Sequence, residues 1–187
     1  RVIYWNMLMT LKKRQPGKDR LMNHFAPKTA AERYAKGRPD FHANTISHIN
    51  DYLQLDHKFS HALDIACGTG LSTKALLAIA DNVYGTDASP EMLSHALLPE
   101  KIHYSVAFAE KQPFPDHQFD LITVCSGVHW FDIDKFLAEA NRLLKPGGWL
   151  LLYENHFTAE MDGIKLFSNW FRDIYLKKFP SPPRNND

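Results

Sequence analysis

The sequence predicts an α/β fold: a doubly wound, Rossmann-like sheet that is mostly parallel and has about five strands. Strand-like and helix-like segments alternate from residue 42 onward, and the strand-like segments are continuous apolar runs. Such runs are typical of a parallel sheet covered on both faces, and right-handed crossovers then lead to the doubly wound topology. Ligands of such sheets bind beyond the carboxyl ends of the strands, so functional residues are expected there.

The five predicted strands are short segments rich in apolar and β-branched residues. The first ends at two closely spaced glycines, and the last follows a Lys-Pro-Gly-Gly stretch that stops the preceding helix. In chain order the predicted strands are Ala62–Ala66, Asn82–Thr86, His103–Val106, Phe119–Val124 and Trp149–Tyr153.

The predicted helices lie before and between these strands. Apolar residues recur at helical spacing, and one helix start carries serine at the cap and proline at the first position. Helices are expected over residues 42–54, 71–80, 132–144 and 162–178, with the capped start at Ser89-Pro90.

Composition excludes several classes of protein. The 187 residues are 44% hydrophobic and 23% charged, which is typical of a soluble globular protein. The net charge of +1 offers no field for nucleic acid, and no apolar run approaches the roughly 20 residues of a membrane span. Two cysteines cannot form a disulfide framework, and the scattered histidines lack metal-site spacing. We therefore expect a cytoplasmic protein with free thiols and no metal.

The chain is expected to contain a central core with shorter segments on either side. It begins with Arg1 rather than Met, so we expect a processed or cut chain, with Met22 as an alternative start. The apolar residues of the N-terminal extension are expected to pack on a neighbouring surface. The predicted regions are an extension (1–21), lid helices (22–58), a core (59–160) and a C-terminal helix and tail (161–187).

A glycine turn follows the first predicted strand and enters a helix. Gly68 and Gly70 allow a tight turn and close approach of a ligand. The sixth position of the dinucleotide-binding fingerprint is Thr73 rather than glycine or alanine, so the fingerprint is not met. Asp64, four residues before the first glycine, would repel a pyrophosphate and attract a cation. Both features disfavour a nicotinamide-dependent oxidoreductase, which is the alternative reading of the turn.

A second carboxylate, Asp87, ends the next predicted strand. A carboxylate at this place can accept hydrogen bonds from both ribose hydroxyls of a nucleoside. Together, Asp64 and Asp87 describe an adenosine-type cofactor that carries positive charge and no phosphate. S-adenosylmethionine is such a molecule.

Four motifs, in order, resemble those of class I S-adenosylmethionine-dependent methyltransferases. The resemblance covers about residues 22–155. His24-Phe25, Tyr34, Arg38-Pro39 and His129-Trp130-Phe131 are similar to the type 11 branch with trans-aconitate-methyltransferase-like members. The four motifs are Leu63–Gly70, Gly85–Leu93, Ala109–Phe114 and Leu143–Gly148.

The resemblance implies a role for each candidate residue. The turn residues and those after the fourth strand would line the methionyl part, with Asp64 under its ammonium and Asp87 on the ribose. Arg38, on a lid helix, would face the methionyl carboxylate. The implied cofactor-binding residues are Tyr34, Arg38, Asp64, Ala66, Gly68, Thr69, Gly70, Asp87, Ala88, Met92, Ala109, Glu110, Cys125 and Ser126.

The candidate substrate contacts are His129, Trp130 and Tyr34, whereas Phe131 is expected in the core. The acceptor is expected to be a small molecule. A carboxylate acceptor would need a cation such as Arg33, Arg38 or His129, and a phenol, amine or carbon acceptor would need a general base. The sequence does not choose among them and identifies no catalytic residue.

Several further expectations concern details of this site. Glu110 is either a ligand contact or a solvated loop acid, and Phe108 replaces the polar residue that many relatives have. Cys67 and Cys125 are expected to approach each other beside the cofactor.

The family fold usually has seven strands, so the C-terminal strands and roughly 70 residues are expected to be missing. The strand at residues 149–154 would then expose an edge. This leaves open a homodimer through that edge, or a truncated or non-catalytic S-adenosylmethionine-binding module.

Overall fold

The chain divides into two compact units, Arg1–Glu154 and Asn155–Asp187. The computed structural model describes residues 2–5, 32, 36, 37, 40–96, 99–155 and 164–179, the first four by their backbone. Within this part, no helix combines the length and the apolar character that a membrane crossing requires.

The first unit is built on a six-stranded sheet in which every pairing is parallel. The strand order is β1-β6-β5-β2-β3-β4, so the doubly wound prediction is confirmed and the five predicted strands are all present. The strands are β1 (Val2–Trp5), β2 (Phe59–Ile65), β3 (Ala80–Asp87), β4 (Ile102–Val106), β5 (Phe119–Cys125) and β6 (Leu144–Tyr153).

The sixth strand, β1, corrects the expectation of an exposed edge at residues 149–154. β1 pairs with β6 in register from Val2↔Leu150 to Trp5↔Tyr153. Its four residues form an apolar run, and their backbone satisfies the N–H and C=O groups that β6 would otherwise leave unpaired. The sequence left open a homodimer through this edge, but β1 of the same chain already pairs with it.

The helices of the first unit begin and end close to their predicted positions. The helix predicted over 71–80 is shorter, because a 3₁₀ turn over Leu76–Ala78 leads directly into β3. The bounds are α1 (His42–Leu53), α2 (Leu71–Ala75), α3 (Pro90–Leu93) and α4 (Ile133–Leu143), with a second 3₁₀ turn over Val128–Trp130.

Two apolar cores lie on the two faces of the sheet, because successive strand residues point in opposite directions. On one face, Ala62, Leu121 and Leu151 pack in the cluster that contains Ile46 and Ile49 of α1. On the other face, Leu63, Ile122 and Leu150 pack in the cluster with Phe136 and Leu143 of α4. This two-sided burial explains why the strands read as continuous apolar runs.

The second unit contains the helix predicted over residues 162–178. It runs as α5 (Lys165–Trp170), a π-helical turn (Phe171–Tyr175) and α6 (Leu176–Lys178). The π-helical turn has no counterpart in the sequence prediction, since apolar spacing does not distinguish it from an α-helix.

Candidate functional site

The turn after β2 is a tight reversal that leads into α2. Ala66, Gly68 and Gly70 all have positive φ, at 57°, 57° and 80°. Cys67 donates its backbone N–H to the Thr86 carbonyl at 3.0 Å, and Gly70 donates to the Cys67 carbonyl at 3.0 Å. The N–H groups of Cys67 and Gly70 are therefore hydrogen-bonded within the protein and are not available to a ligand.

Tyr104 of β4 lies beneath this turn and was not predicted from the sequence. A Cβ on Gly70 would run into the Tyr104 hydroxyl, and a Cβ on Gly85 would lie 2.6 Å from Tyr104 Cε1. Both positions therefore need glycine for space, and Gly70 also for its backbone conformation. A sequence signal for this contact lies in the register, which places Gly85 opposite Tyr104 on neighbouring strands.

Asp64 lies at the end of β2 and is completely buried. It accepts hydrogen bonds from Ser72 at 2.6 Å, from Thr73 at 2.7 Å and from Thr123 at 2.9 Å. Burial raises the pKa of Asp64 to about 6, although the three hydroxyl donors act in the opposite direction. Thr73, which breaks the dinucleotide fingerprint, thus serves as a donor to this carboxylate.

Asp87 lies at the end of β3 and is only half-buried. Its carboxylate accepts the N–H groups of Gly68 at 2.9 Å and Ser89 at 2.8 Å, and burial raises its pKa. The Gly68 bond ties the ends of β2 and β3 together. The structure thus brings the two strand ends to one place, as the sequence predicted, but it buries one carboxylate and leaves the other accessible.

A hollow opens beside the glycine turn. Cys67 and Cys125 both line it and are free thiols, while their approach beside the cofactor stays a prediction. Burial raises the pKa of the Cys67 thiol well above its ordinary value, which makes it a weak nucleophile. The strand-tip hollow, as we call it, is lined by His42, Ala66, Cys67, Thr69, Leu71, Ser72 and Cys125.

Three residues of this lining were not predicted from the sequence. His42 begins α1, and Leu71 and Ser72 begin α2. A sequence signal existed for the last two, because they follow the second glycine of the turn directly. No motif pointed to His42, since only the folded chain brings α1 to this place.

The segment after β5 carries the predicted substrate contacts. Ser126 has a positive φ of 54°, and its N–H donates to the Tyr153 carbonyl at 2.9 Å. His129 and Trp130 lie in the 3₁₀ turn with ring centroids 4.9 Å apart, and Trp130 is 38% exposed. Phe131 is buried, which confirms its predicted place in the core.

The residues predicted to border the adenine lie beyond the ends of β3 and β4 and differ in exposure. Ala88 is exposed, whereas Met92 and Ala109 are buried. The Glu110 carboxylate accepts the Asp132 N–H at 2.7 Å, so its side chain holds the start of α4. Phe108 is 68% exposed and offers an apolar surface on this side.

The geometry agrees with comparisons against known proteins. The methyltransferase domain family matches residues 63–152. A Dictyostelium discoideum protein named as a methyltransferase is 32% identical over 120 residues, which are 64% of this chain and 45% of that protein. A demethylmenaquinone methyltransferase from Chlorobaculum parvum is 35% identical over 118 residues, which are 62% of this chain and 49% of that protein.

Among solved structures, one named as a type II methyltransferase from Anaeromyxobacter dehalogenans has a TM-score of 0.68 at 24% identity. The match between the two covers 79% of this chain and 61% of the Anaeromyxobacter chain. Residues 63–152 thus match the methyltransferase domain family, and the relatives and solved structures support the resemblance to class I methyltransferases. The chain spans about half the length of the curated relatives it matches.

Parts of the predicted methyltransferase site lie outside the described residues. These are Tyr34 and Arg38, together with Arg33, the candidate cation for an acidic acceptor. The narrower likeness to trans-aconitate methyltransferases stays a prediction. Within the described ranges, no three His, Cys, Asp or Glu side chains are grouped so that they could hold a metal ion.

Proposed function

We propose that the protein transfers a methyl group from S-adenosylmethionine to a small-molecule acceptor. One observation carries the choice of cofactor: the Gly68 N–H, which a phosphate-binding turn would present to its ligand, is bonded to the Asp87 carboxylate. A phosphate placed here would meet two carboxylates and lose this donor. A phosphate-free nucleoside with positive charge meets no such repulsion.

The residues at the strand ends fit the separate parts of this cofactor. Asp87 would hold the ribose hydroxyls with the lone pairs that Gly68 and Ser89 leave open. Ala66, Gly68, Thr69, Gly70, Cys125 and Ser126 would border the methionyl part. Ala88, Met92, Ala109 and the Glu110 backbone would border the adenine.

Asp64 would act on the cofactor at a distance. It is completely buried and already accepts three hydroxyls, so direct contact with the ammonium would require those contacts to open. Its charge still favours a cation above the turn, since a buried charge is screened weakly. Ser72 both lines the strand-tip hollow and donates to Asp64, so it is the side chain that connects them.

The acceptor would lie at the turn after β5, against His129 and Trp130, with Tyr34 as a further contact. The cofactor, when bound, supplies a methyl group on a positively charged sulfur. The protein's part is then to align the acceptor with the methyl–sulfur axis and to exclude water. A carboxylate is the proposed acceptor, which a cation such as His129 would hold and which would need no general base. The two thiols, Cys67 and Cys125, suit a reducing cytoplasm.

Thermal melting and calorimetry with two ligands test the cofactor. S-adenosylhomocysteine is expected to raise the melting temperature and to bind, whereas NADH is expected to do neither. Tighter binding of NADH would contradict the proposal. Methyl transfer from labelled S-adenosylmethionine is then measured with small carboxylic acids, phenols and amines. Exclusive methylation of phenols or amines would overturn the carboxylate acceptor and retain the cofactor.

A further inference from the structure

A buried histidine–tyrosine pair lies at the wall of the strand-tip hollow. His42, the first residue of α1, is 4% exposed, and Tyr153, the last residue of β6, is 3% exposed. His42 Nδ1 and the Tyr153 hydroxyl share a hydrogen bond of 3.1 Å. The methyltransferase motifs include neither residue, and nothing in the proposed function uses them.

Several contacts hold the His42 imidazole in one orientation. The Phe41 ring stacks on it at a centroid distance of 4.4 Å, and the Tyr153 ring meets it edge-on at 6.0 Å. The Asp40 carboxylate accepts the backbone N–H of His42 at 3.3 Å, which fixes the start of α1 rather than the ring. A side chain fixed in this way loses little conformational entropy when it binds a ligand.

The lining of the hollow is chemically uneven. Among the described residues that line it, His42 is the only side chain that can carry a positive charge. The lining also has a negatively polarised part, since Ser72 connects the hollow to the buried Asp64 carboxylate. A ligand group that carries a cation and an anion close together matches such a lining.

The amino-acid end of S-adenosylmethionine is such a group. The geometry points to His42 as the residue that binds its carboxylate, with Tyr153 as the positioning residue that orients the imidazole. This inference rests on the proposed function and deepens it. It assigns a residue on α1 to the carboxylate, in addition to the Arg38 that the sequence predicted.

Two ligands that differ only in the carboxylate isolate this contact. S-adenosylhomocysteine has the carboxylate, and S-adenosyl-3-thiopropylamine keeps the ammonium but lacks it. In calorimetry on the full chain, His42→Ala is expected to weaken S-adenosylhomocysteine by about tenfold to a hundredfold, the loss of one hydrogen bond to a charged group. Binding of the amine is expected to stay unchanged.

Two further variants complete the design. Tyr153→Phe removes only the hydroxyl and is expected to weaken S-adenosylhomocysteine by a smaller factor, again without effect on the amine. It carries the test if His42→Ala does not fold. His48→Ala, which removes an exposed histidine from the same helix, is expected to change neither affinity.

The results separate this inference from the proposed function. Equal weakening of both ligands by His42→Ala, or no weakening of either, would overturn the carboxylate contact and retain the cofactor. A wild-type chain that binds neither ligand would overturn the cofactor itself, and this inference with it.

Discussion

The ends of β2 and β3 each carry an aspartate, and the two carboxylates differ in their burial and in their hydrogen-bond donors. Asp64 at the end of β2 is completely buried and accepts three side-chain hydroxyls. Asp87 at the end of β3 is half-buried and accepts two backbone N–H groups. The same residue type thus serves as an internal charge at one strand end and as an accessible acceptor at the next.

This difference shows how the site separates its own stability from binding. The hydroxyls around Asp64 come from α2 and β5, so that carboxylate connects three elements. The backbone donors to Asp87 leave lone pairs for a ligand. Changes around Asp64 are therefore expected to affect the free energy of unfolding, and changes at Asp87 are expected to affect affinity.

The largest effect on stability is expected at Gly70, in the turn that follows Asp64. Gly70→Ala places a Cβ against the Tyr104 hydroxyl at a φ of +80°. Overpacking and the left-handed backbone together are expected to cost about 3 kcal/mol of the free energy of unfolding in urea denaturation. Gly147→Ala is the matched control, since Gly147 has a φ of +82° and no described atom would lie within 4 Å of its Cβ. It is expected to cost about 1 kcal/mol. Equal costs at the two positions would show that Tyr104 does not restrict the turn.

The next effect is a pH dependence that belongs to Asp64. Its pKa is about 6 in the folded chain and near 3.8 when exposed, so the folded state binds the proton more tightly. The resulting stabilisation is complete below pH 3.8 and is lost as pH rises through 6. Its full size is about 3 kcal/mol.

Urea denaturation of the wild type and of Asp64→Asn between pH 3.5 and 7.5 measures this contribution. Asp87 and other carboxyl groups titrate in both proteins, so the difference between the two curves isolates Asp64. We expect the wild type to lose stability relative to Asp64→Asn as pH rises. Parallel curves would mean that the burial of Asp64 does not raise its pKa in the folded chain.

Most of the fold was predictable because its main signals are local. Continuous apolar runs identified β2 to β6, and turn residues placed their ends. The first strand was missed because its four apolar residues pair only with a strand almost 150 positions away, at Val2↔Leu150. Nothing within such a short segment distinguishes a paired strand from an apolar extension.

The site was predictable to the extent that motifs carry it. Asp64, Gly68, Gly70 and Asp87 lie together as expected, because parallel strands end at one edge of the sheet. The burial of Asp64 was not predictable, since its donors Thr73 and Thr123 come from two other elements. Contacts that depend on packing between distant elements leave no pattern in the sequence.

At Asp87 the expected effect is on binding. Asp87→Ala removes the acceptor for the ribose hydroxyls and is expected to weaken S-adenosylhomocysteine by about a hundredfold in calorimetry. Asp81→Ala, an exposed aspartate on the same strand, is the control and is expected to leave the affinity unchanged. If Asp87→Ala lowered stability strongly and affinity little, the roles assigned to the two aspartates would be reversed.

The smallest effect is expected from a single hydroxyl around Asp64. Thr123→Val keeps the side-chain shape and removes one donor to the buried carboxylate, at a cost of about 1 to 2 kcal/mol at pH 7.5. The cost is expected to shrink at pH 4.5, where Asp64 is protonated and needs fewer donors.

Thr86→Val is the matched control on β3, because Thr86 is equally buried and its hydroxyl has no hydrogen-bond partner among the described residues. Removing that hydroxyl is expected to be neutral or stabilising, since it relieves a buried polar group. Equal losses for the two variants in urea denaturation would show that the Thr123 hydroxyl gives Asp64 no specific support.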